Sequence, residues 1–139
     1  MNYKTIGKYI KDLRFEIPNP KTFFLLEKHI SNYKINIDIK SKQFKDKIIE
    51  VETTLTLTPS SDDFDKINTK IIFATIIEID GELTNKQALE EVILIKVPNE
   101  TYPEIRALFV LLFEKSGFKK IKIEETINFK NLYSKRTIQ

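Results

Sequence analysis

The chain has 139 residues, of which 41% are hydrophobic, and it contains no cysteine. These values predict a single domain over residues 1–139, and they exclude a disulfide, a thiolate zinc site and a cysteine nucleophile. The formal net charge of +3 is spread along the chain, so it does not indicate a nucleic-acid partner. No apolar run could span a bilayer and residues 1–4 lack the apolar core of a signal peptide, so we expect a soluble, cytoplasmic protein without membrane insertion.

Two segments in the first third of the chain alternate apolar and polar residues with the period of a strand. Residues 9–16 carry Tyr9, Leu13 and Phe15 at alternating positions. Residues 33–40 alternate without exception, starting from an apolar first position. Each pattern predicts a strand, and the second predicts one with a buried and an exposed face.

Two further strands follow before the first clear helical pattern. Residues 50–58 have Val51, Leu55 and Leu57 on one face and acids and threonines on the other. Residues 71–79 are apolar on both faces, so both faces of that strand need cover. Because no βαβ rhythm separates the strands, we expect an α+β fold: a four-stranded antiparallel sheet followed by a short helix, a long apolar helix and a short C-terminal helix.

The short helix and the start of the long helix carry recognisable end signals. Gly81 closes the last strand, and Thr84 with Gln87 forms a capping-box pattern before a helix that we expect to stop at Pro98. The long helix is then expected to begin in the turn that follows. Either Thr101 is its N-cap, with a glutamate three residues on, or Tyr102 is the cap and a proline occupies the first helical position.

The long helix carries more apolar surface than one core requires. It is expected to end at Gly117, ahead of a short helix over residues 128–136. Residues 107–113 are apolar without a break, whereas a helix on one core has a polar opposite face. Burying three surplus side chains is worth on the order of 5 kcal/mol or more. That favours self-association, although residues 23–26 and the short helices could cover the surface instead. The interface candidates are Ile105, Leu108, Phe109, Leu112 and Phe113.

Four segments in the same order resemble one known family. Residues 9–19 follow the pattern Y-x-K-D-x-S-F-E-x-P-N with arginine at the serine position, and residues 98–106 follow P-N-x-x-F-P-x-x-R with Tyr102 in place of the usual Phe. Residues 116–118 and 127–133 are similar to G-x-F and V-N-F-x-x-L-Y endings. Together these motifs resemble the SecB family of protein-export chaperones over nearly the whole chain.

The resemblance implies a function and an assembly. SecB-like proteins are non-enzymatic holdases that bind unfolded preproteins and pass them to the SecA translocase, without a cofactor. They form homotetramers, arranged as dimers of dimers, and bind extended clients in apolar grooves with little sequence readout. Ordinary core packing is the alternative for each groove candidate. The candidates flank the sheet: Phe23, Phe24, Phe44, Leu83, Leu89 and Ile93.

The sequence departs from the family at positions that affect the expected contact with SecA and the expected client. The matching acidic positions on the opening strand are Asp12 and Glu16, which could also be an ordinary solvated face. Residues 73–77 lack the acid that the family carries on a later strand, and residues 134–139 are basic rather than acidic. Weaker electrostatic docking to SecA is expected. The alternative is a SecB-like chaperone dedicated to another client, such as the antitoxin of a toxin-antitoxin system.

Other function classes have little support in the sequence. His29 is the only histidine, which is better explained as a surface residue than as a catalytic base. Asp62, Asp63 and Asp65 lack the glycine and the distal glutamate of an EF-hand loop. Three glycines in total do not form a phosphate-binding loop. We therefore predict no catalytic residue, no metal ligand and no cofactor. The basic residues near the C-terminus are not accompanied by a stacking platform, so no nucleic-acid partner is predicted.

Overall fold

The structure is a computed structural model that describes residues 1–29, 33–59, 67–118 and 123–138. Its four strands form one antiparallel sheet, and its helices follow mainly after the last strand, as the α+β prediction requires. No helix within the described ranges is long and apolar enough to cross a membrane. The elements are β1 Asn2–Glu16, α1 Pro20–His29, β2 Tyr33–Lys45, β3 Ile48–Pro59, β4 Asn68–Asp80, α2 Lys86–Glu91, a π-helical turn Val92–Lys96, α3 Val97–Lys115 and α4 Phe129–Ile138.

The strand order is β1-β4-β3-β2, so β1 and β2 are the edge strands. The β2–β3 hairpin is tight, and Asp46 has a positive φ of 44° in its turn. Gly81 follows β4 with φ +116°, a value that favours glycine, so the prediction that it ends this strand is confirmed. The sheet therefore has a hairpin end, near Asp46 and Gly81, and an opposite end, where β1 runs into α1.

The core lies between one face of the sheet and the helices. On β3, Val51, Leu55 and Leu57 are buried as predicted, because the alternation turns every second side chain toward the helices. On β4, Ile71 and Ile77 are fully buried on this same inner face. The opposite, outer face of the sheet carries the polar side chains of β3, which are only partly covered.

The helix α1 was not predicted. Asn19 caps it, since its Oδ1 accepts a hydrogen bond from the Thr22 N–H at 2.8 Å, and Pro20 occupies the first helical position. Leu26 is buried in the core, and Phe23 lies 4.9 Å from the Phe118 ring between centroids. The pair Asn19-Pro20 is thus the start of a helix.

The predicted break between the short and long helices is wrong. The backbone is helical from Lys86 to Lys115, and Pro103 lies inside α3. Thr101 is not a cap, because its Oγ1 donates to the Val97 carbonyl one turn earlier, at 3.1 Å. Each proline removes only one helical donor, and burial of the side chains around them outweighs that local signal. The cap of α2 is also one residue later than predicted: Asn85 Oδ1 accepts from the Ala88 N–H at 3.1 Å.

The end of α3 agrees with the prediction. Gly117 has φ +94°, its N–H donates to the Glu114 carbonyl at 3.1 Å, and the Phe118 N–H donates to the Phe113 carbonyl at 2.9 Å. These two hydrogen bonds form a Schellman motif, which satisfies the last carbonyls of the helix. The predicted terminal helix is present as α4, capped by Asn128.

Candidate functional site

An open cleft of about 420 Å³ lies between β2 and the chain leading into α4. We call it the β2–α4 cleft. Its apolar lining comes from Ile35 and Ile37 on the strand and from Ile127 and Leu132 on the opposite wall. Leu132 is 42% exposed although it is a large apolar side chain. The polar lining residues are Asn36, Glu124, Asn128 and Asn131.

The strand wall of the cleft follows from the alternation of β2. Ile35, Ile37 and Ile39 share the inner face, but only Ile39 is buried, while the other two are half-buried. In the described ranges β2 pairs only with β3, so no strand covers its outer edge. A half-covered apolar face beside an open strand edge can accept an extended peptide through both side-chain burial and main-chain hydrogen bonds.

The opposite wall of the cleft is held by two side chains of α3. Tyr102 is 2% exposed, and its hydroxyl donates to the Glu124 carbonyl at 2.5 Å. Arg106 donates through Nε to the Ile123 carbonyl at 3.0 Å. Burial raises the pKa of Tyr102, although the nearby guanidinium opposes this, so the hydroxyl keeps its proton and remains a donor. The Tyr102 ring also lies 6.1 Å from that of Phe129, the first residue of α4.

The structure does not bring the predicted groove residues together. Phe23 and Phe24 lie on α1, at the end of the sheet where β1 finishes. Phe44 lies beside the β2–β3 turn and is 73% exposed. Phe44 is eleven positions after Tyr33, the first residue of β2, so the two lie about 35 Å apart along the strand. Leu83 and Leu89, before and within α2, are half-buried.

None of the six groove candidates lines the β2–α4 cleft. Ile93 is only 8% exposed in the π-helical turn and packs in the core, and its role as a groove residue stays a prediction. The alternation of β2 predicted the strand face that contains Ile35 and Ile37, but only as a half-buried surface. Its partner wall lies about 90 residues later in the sequence, at Ile127 and Leu132, so no local pattern could join the two.

Three of the five interface candidates are core residues. Ile105, Phe109 and Phe113 are each fully buried within the single chain, because α3 turns this stripe onto its own sheet. The Phe113 ring, for example, lies 5.0 Å from that of Phe15 on β1. Their side chains are covered within the subunit and offer no exposed surface to another copy, and their role as interface residues stays a prediction. The other two, Leu108 and Leu112, are half-buried.

In the described ranges, four of the eight exposed large apolar side chains lie on the edge strand β1. We call this surface the β1 edge, comprising Ile6, Tyr9, Ile10 and Leu13, each 40–46% exposed. Irregularities in the pairing with β4 interrupt the alternation between Thr5 and Gly7 and again between Ile10 and Asp12. Such a bulge changes which side chains share a face. Leu111 on α3 is also 47% exposed. It lies between Glu104, which contacts Lys8 of β1, and Phe113, which contacts Phe15 of β1.

Asp12 and Glu16 lie on the outer face of the sheet, away from the helices. Asp12 is partly covered and forms an ion pair with Arg14, Oδ2 to Nε, at 3.2 Å. Glu16 is exposed. Beside them, Lys11 bridges Glu50 and a second glutamate of β3. A hydrogen bond from the Tyr9 hydroxyl is the main cause of the lowered pKa of the Glu50 carboxyl. Three of the four acids on this part of the face therefore have a cationic partner, although two of them share Lys11.

Comparison with known proteins identifies the family. The family model for the preprotein translocase subunit SecB matches residues 2–139. The chain belongs to the SecB family. It is 39% identical over 135 residues to a putative protein-export protein SecB of Pelagibacter ubique, covering 97% of this chain and 96% of that one. It is 30% identical over 132 residues to the protein-export protein SecB of Herminiimonas arsenicoxydans, covering 92% and 76%.

A solved structure supports the same fold. It is a SecB-like chaperone of Mycobacterium tuberculosis, in complex with a ChAD peptide from an antitoxin, with a TM-score of 0.66 and 11% identity. The match covers 90% of this chain and 88% of that one. SecB proteins are chaperones that bind client polypeptides and are not enzymes, so the predicted family, fold class and chaperone function are confirmed.

Proposed function

We propose that this SecB protein is a cytoplasmic holdase that binds extended, non-native segments of preproteins in the β2–α4 cleft and passes them to SecA. The observation that supports the cleft as the binding site is the half-covered apolar face at Ile35 and Ile37, beside an edge strand that no other strand covers in the described ranges. A client side chain that enters the cleft removes this surface from water. The client main chain lies along β2, where strand pairing needs no particular sequence.

One cleft binds weakly, which suits a chaperone that must release its client. Complete burial of one large apolar side chain contributes about 1.5 to 3 kcal/mol. Ordering of the client chain consumes part of this gain. Stable retention of a client therefore requires several clefts acting on one chain. Once one segment of the client is bound, its other segments are held near the remaining clefts at a raised effective concentration.

We propose that the subunits assemble as a homotetramer, a dimer of dimers, in which the β1 edge contacts a second copy of the chain. Two observations support this. In the described ranges β1 pairs only with β4, so its other edge is open to a strand. Ile10 and Leu13 beside that edge are each 45% exposed, and an apolar edge strand left in water is prone to uncontrolled association.

A refolding experiment tests the holdase proposal. An unfolded, slow-folding client is diluted into buffer with and without a molar excess of the chaperone, and no nucleotide is added. We expect the chaperone to slow refolding, because the bound client is withdrawn from folding, and we expect a rapidly folding client to be unaffected. Equal rates and yields for the slow client with and without chaperone would contradict the proposal.

A separate experiment tests whether Asp12 and Glu16 bind SecA. We expect Asp12→Lys and Glu16→Lys together to lower SecA affinity by at least tenfold, since like charges then face a basic partner. Asp38→Lys combined with Glu78→Lys is the matched control: together they make the same charge change at exposed outer-face positions of β2 and β4. The measurement is titration of labelled SecA. An equal loss in the control variant would show only a general charge effect.

A chaperone dedicated to one client is the second candidate. The ion pair between Arg14 and Asp12 favours this candidate, because Arg14 already neutralises one of the two acids predicted to bind SecA. The SecB-like chaperone of M. tuberculosis, which has the same fold, was solved in complex with an antitoxin peptide, and this supports the second candidate. If wild-type protein slows client refolding but does not bind SecA, this second candidate is preferred over export.

A further inference from the structure

The α4 side of the cleft depends on a segment that no sheet or helix holds. Residues 123–128 belong to no strand or helix, and they carry Glu124, Ile127 and Asn128 of the cleft lining. The strand wall, by contrast, is fixed by its pairing with β3. The distance between the two walls therefore depends on the contacts that attach residues 123–128 to the rest of the subunit.

Two donors on α3 make that attachment. Tyr102 and Arg106 are four residues apart and so lie on one face of the helix. They donate to the successive carbonyls of Glu124 and Ile123. Two hydrogen bonds from a rigid helix to adjacent peptide groups fix both the position and the direction of the segment. Phe129, 1% exposed against the Tyr102 ring, anchors the point at which the segment enters α4.

We infer that Tyr102 and Arg106 are positioning residues of the client site: they hold residues 123–128 at a fixed distance from β2 and thereby set the width of the cleft. The inference rests on the proposed use of the β2–α4 cleft for client binding. A phenylalanine at position 102 would keep the ring packing against Phe129 but would remove the donor to the Glu124 carbonyl. Among the described residues, the wall would then be attached through Arg106, the buried side chains of Ile123 and Phe129, and the hydrogen bond from Tyr133 on α4 to Glu90.

Tyr102→Phe tests this inference in the full chain. We expect client affinity to fall about fivefold, which corresponds to the loss of one ordinary hydrogen bond. In the free protein, we expect amide hydrogen exchange of residues 123–128 to become about fivefold faster while the amides of β3 and β4 are unchanged. Tyr3→Phe is the matched control, because it removes another hydroxyl, bonded to Glu100 at 2.7 Å between β1 and α3 and away from the cleft.

A second pair of variants separates positioning from overall stability. Arg106→Met removes the other donor and should weaken client binding, whereas Arg106→Lys supplies a new donor and should recover part of the affinity. Ile71→Val lowers stability from a fully buried position on β4 without touching the segment, so it should leave client affinity unchanged. If it weakens binding as much as Tyr102→Phe does, the role of Tyr102 is only structural and the inference is overturned.

Failure of this inference is distinguishable from failure of the proposed function. If wild-type protein binds client and Tyr102→Phe changes neither affinity nor exchange of residues 123–128, the inference is wrong and the holdase proposal stands. If wild-type protein binds no client, the proposed function is wrong. The exchange measurement on the free protein then still tests the attachment itself, and unchanged exchange in Tyr102→Phe would overturn that as well.

Discussion

Replacing Ile37 by aspartate is expected to abolish client binding while the subunit remains folded. Ile37 is half-buried on the inner face of β2 and lines the apolar part of the β2–α4 cleft. The change removes apolar contact area and requires any client to desolvate a carboxylate. The loss of about 3 kcal/mol that we expect at one cleft corresponds to roughly a hundredfold weaker binding. Several clefts acting on one client would enlarge the effect.

The measurement is fluorescence anisotropy of a labelled, unfolded client, combined with the refolding assay. Ser41→Asp is the matched control, because it adds the same charge to an exposed position of the same strand that does not line the cleft. The control should bind client normally. A cooperative thermal transition establishes that each variant is folded. Normal client binding by folded Ile37→Asp would exclude the β2–α4 cleft as the client site.

The sheet could be predicted because its signals are local. The period of two in β2 and β3 identifies the strands and the buried face directly, and Gly81 marks the end of β4 by its backbone requirement. The same local reasoning failed where tertiary packing outweighs it. Pro98 and Pro103 predict a break, yet the helix continues through both, because residues around them are buried against the sheet and α4.

The sites were predicted less well than the fold, since exposure depends on contacts between distant segments. Phe113 belongs to an apolar run, but its sequence does not reveal that Phe15, nearly a hundred residues earlier, packs against it. The cleft joins β2 to residues 124–132 and is likewise invisible in either segment alone. Only the Tyr102 hydroxyl gave a local clue: a polar atom at a position that the family fills with phenylalanine needs a partner, and the Glu124 carbonyl is that partner.

Lysine at both Ile10 and Leu13 is expected to split the tetramer, because it breaks one of the two kinds of contact that a dimer of dimers requires. The two side chains lie on the β1 edge, each 45% exposed, so a subunit interface there would bury both. Two lysines would instead bring four like charges to a contact between two copies, with no added acid to match them. Inward-facing or edge lysines are also the usual means by which strand edges are kept from pairing.

Light scattering on purified protein gives the result directly. Wild-type protein should have the mass of four chains of 16.4 kDa, and the double variant the mass of no more than two. Leu132→Lys is the matched control: it places lysine at another exposed apolar position, in the cleft, and should leave the tetramer intact while weakening client binding. A tetrameric double variant would remove the β1 edge from the interface. A monomeric wild-type protein at micromolar concentration would contradict the assembly itself, and with it the cooperation of several clefts on one client.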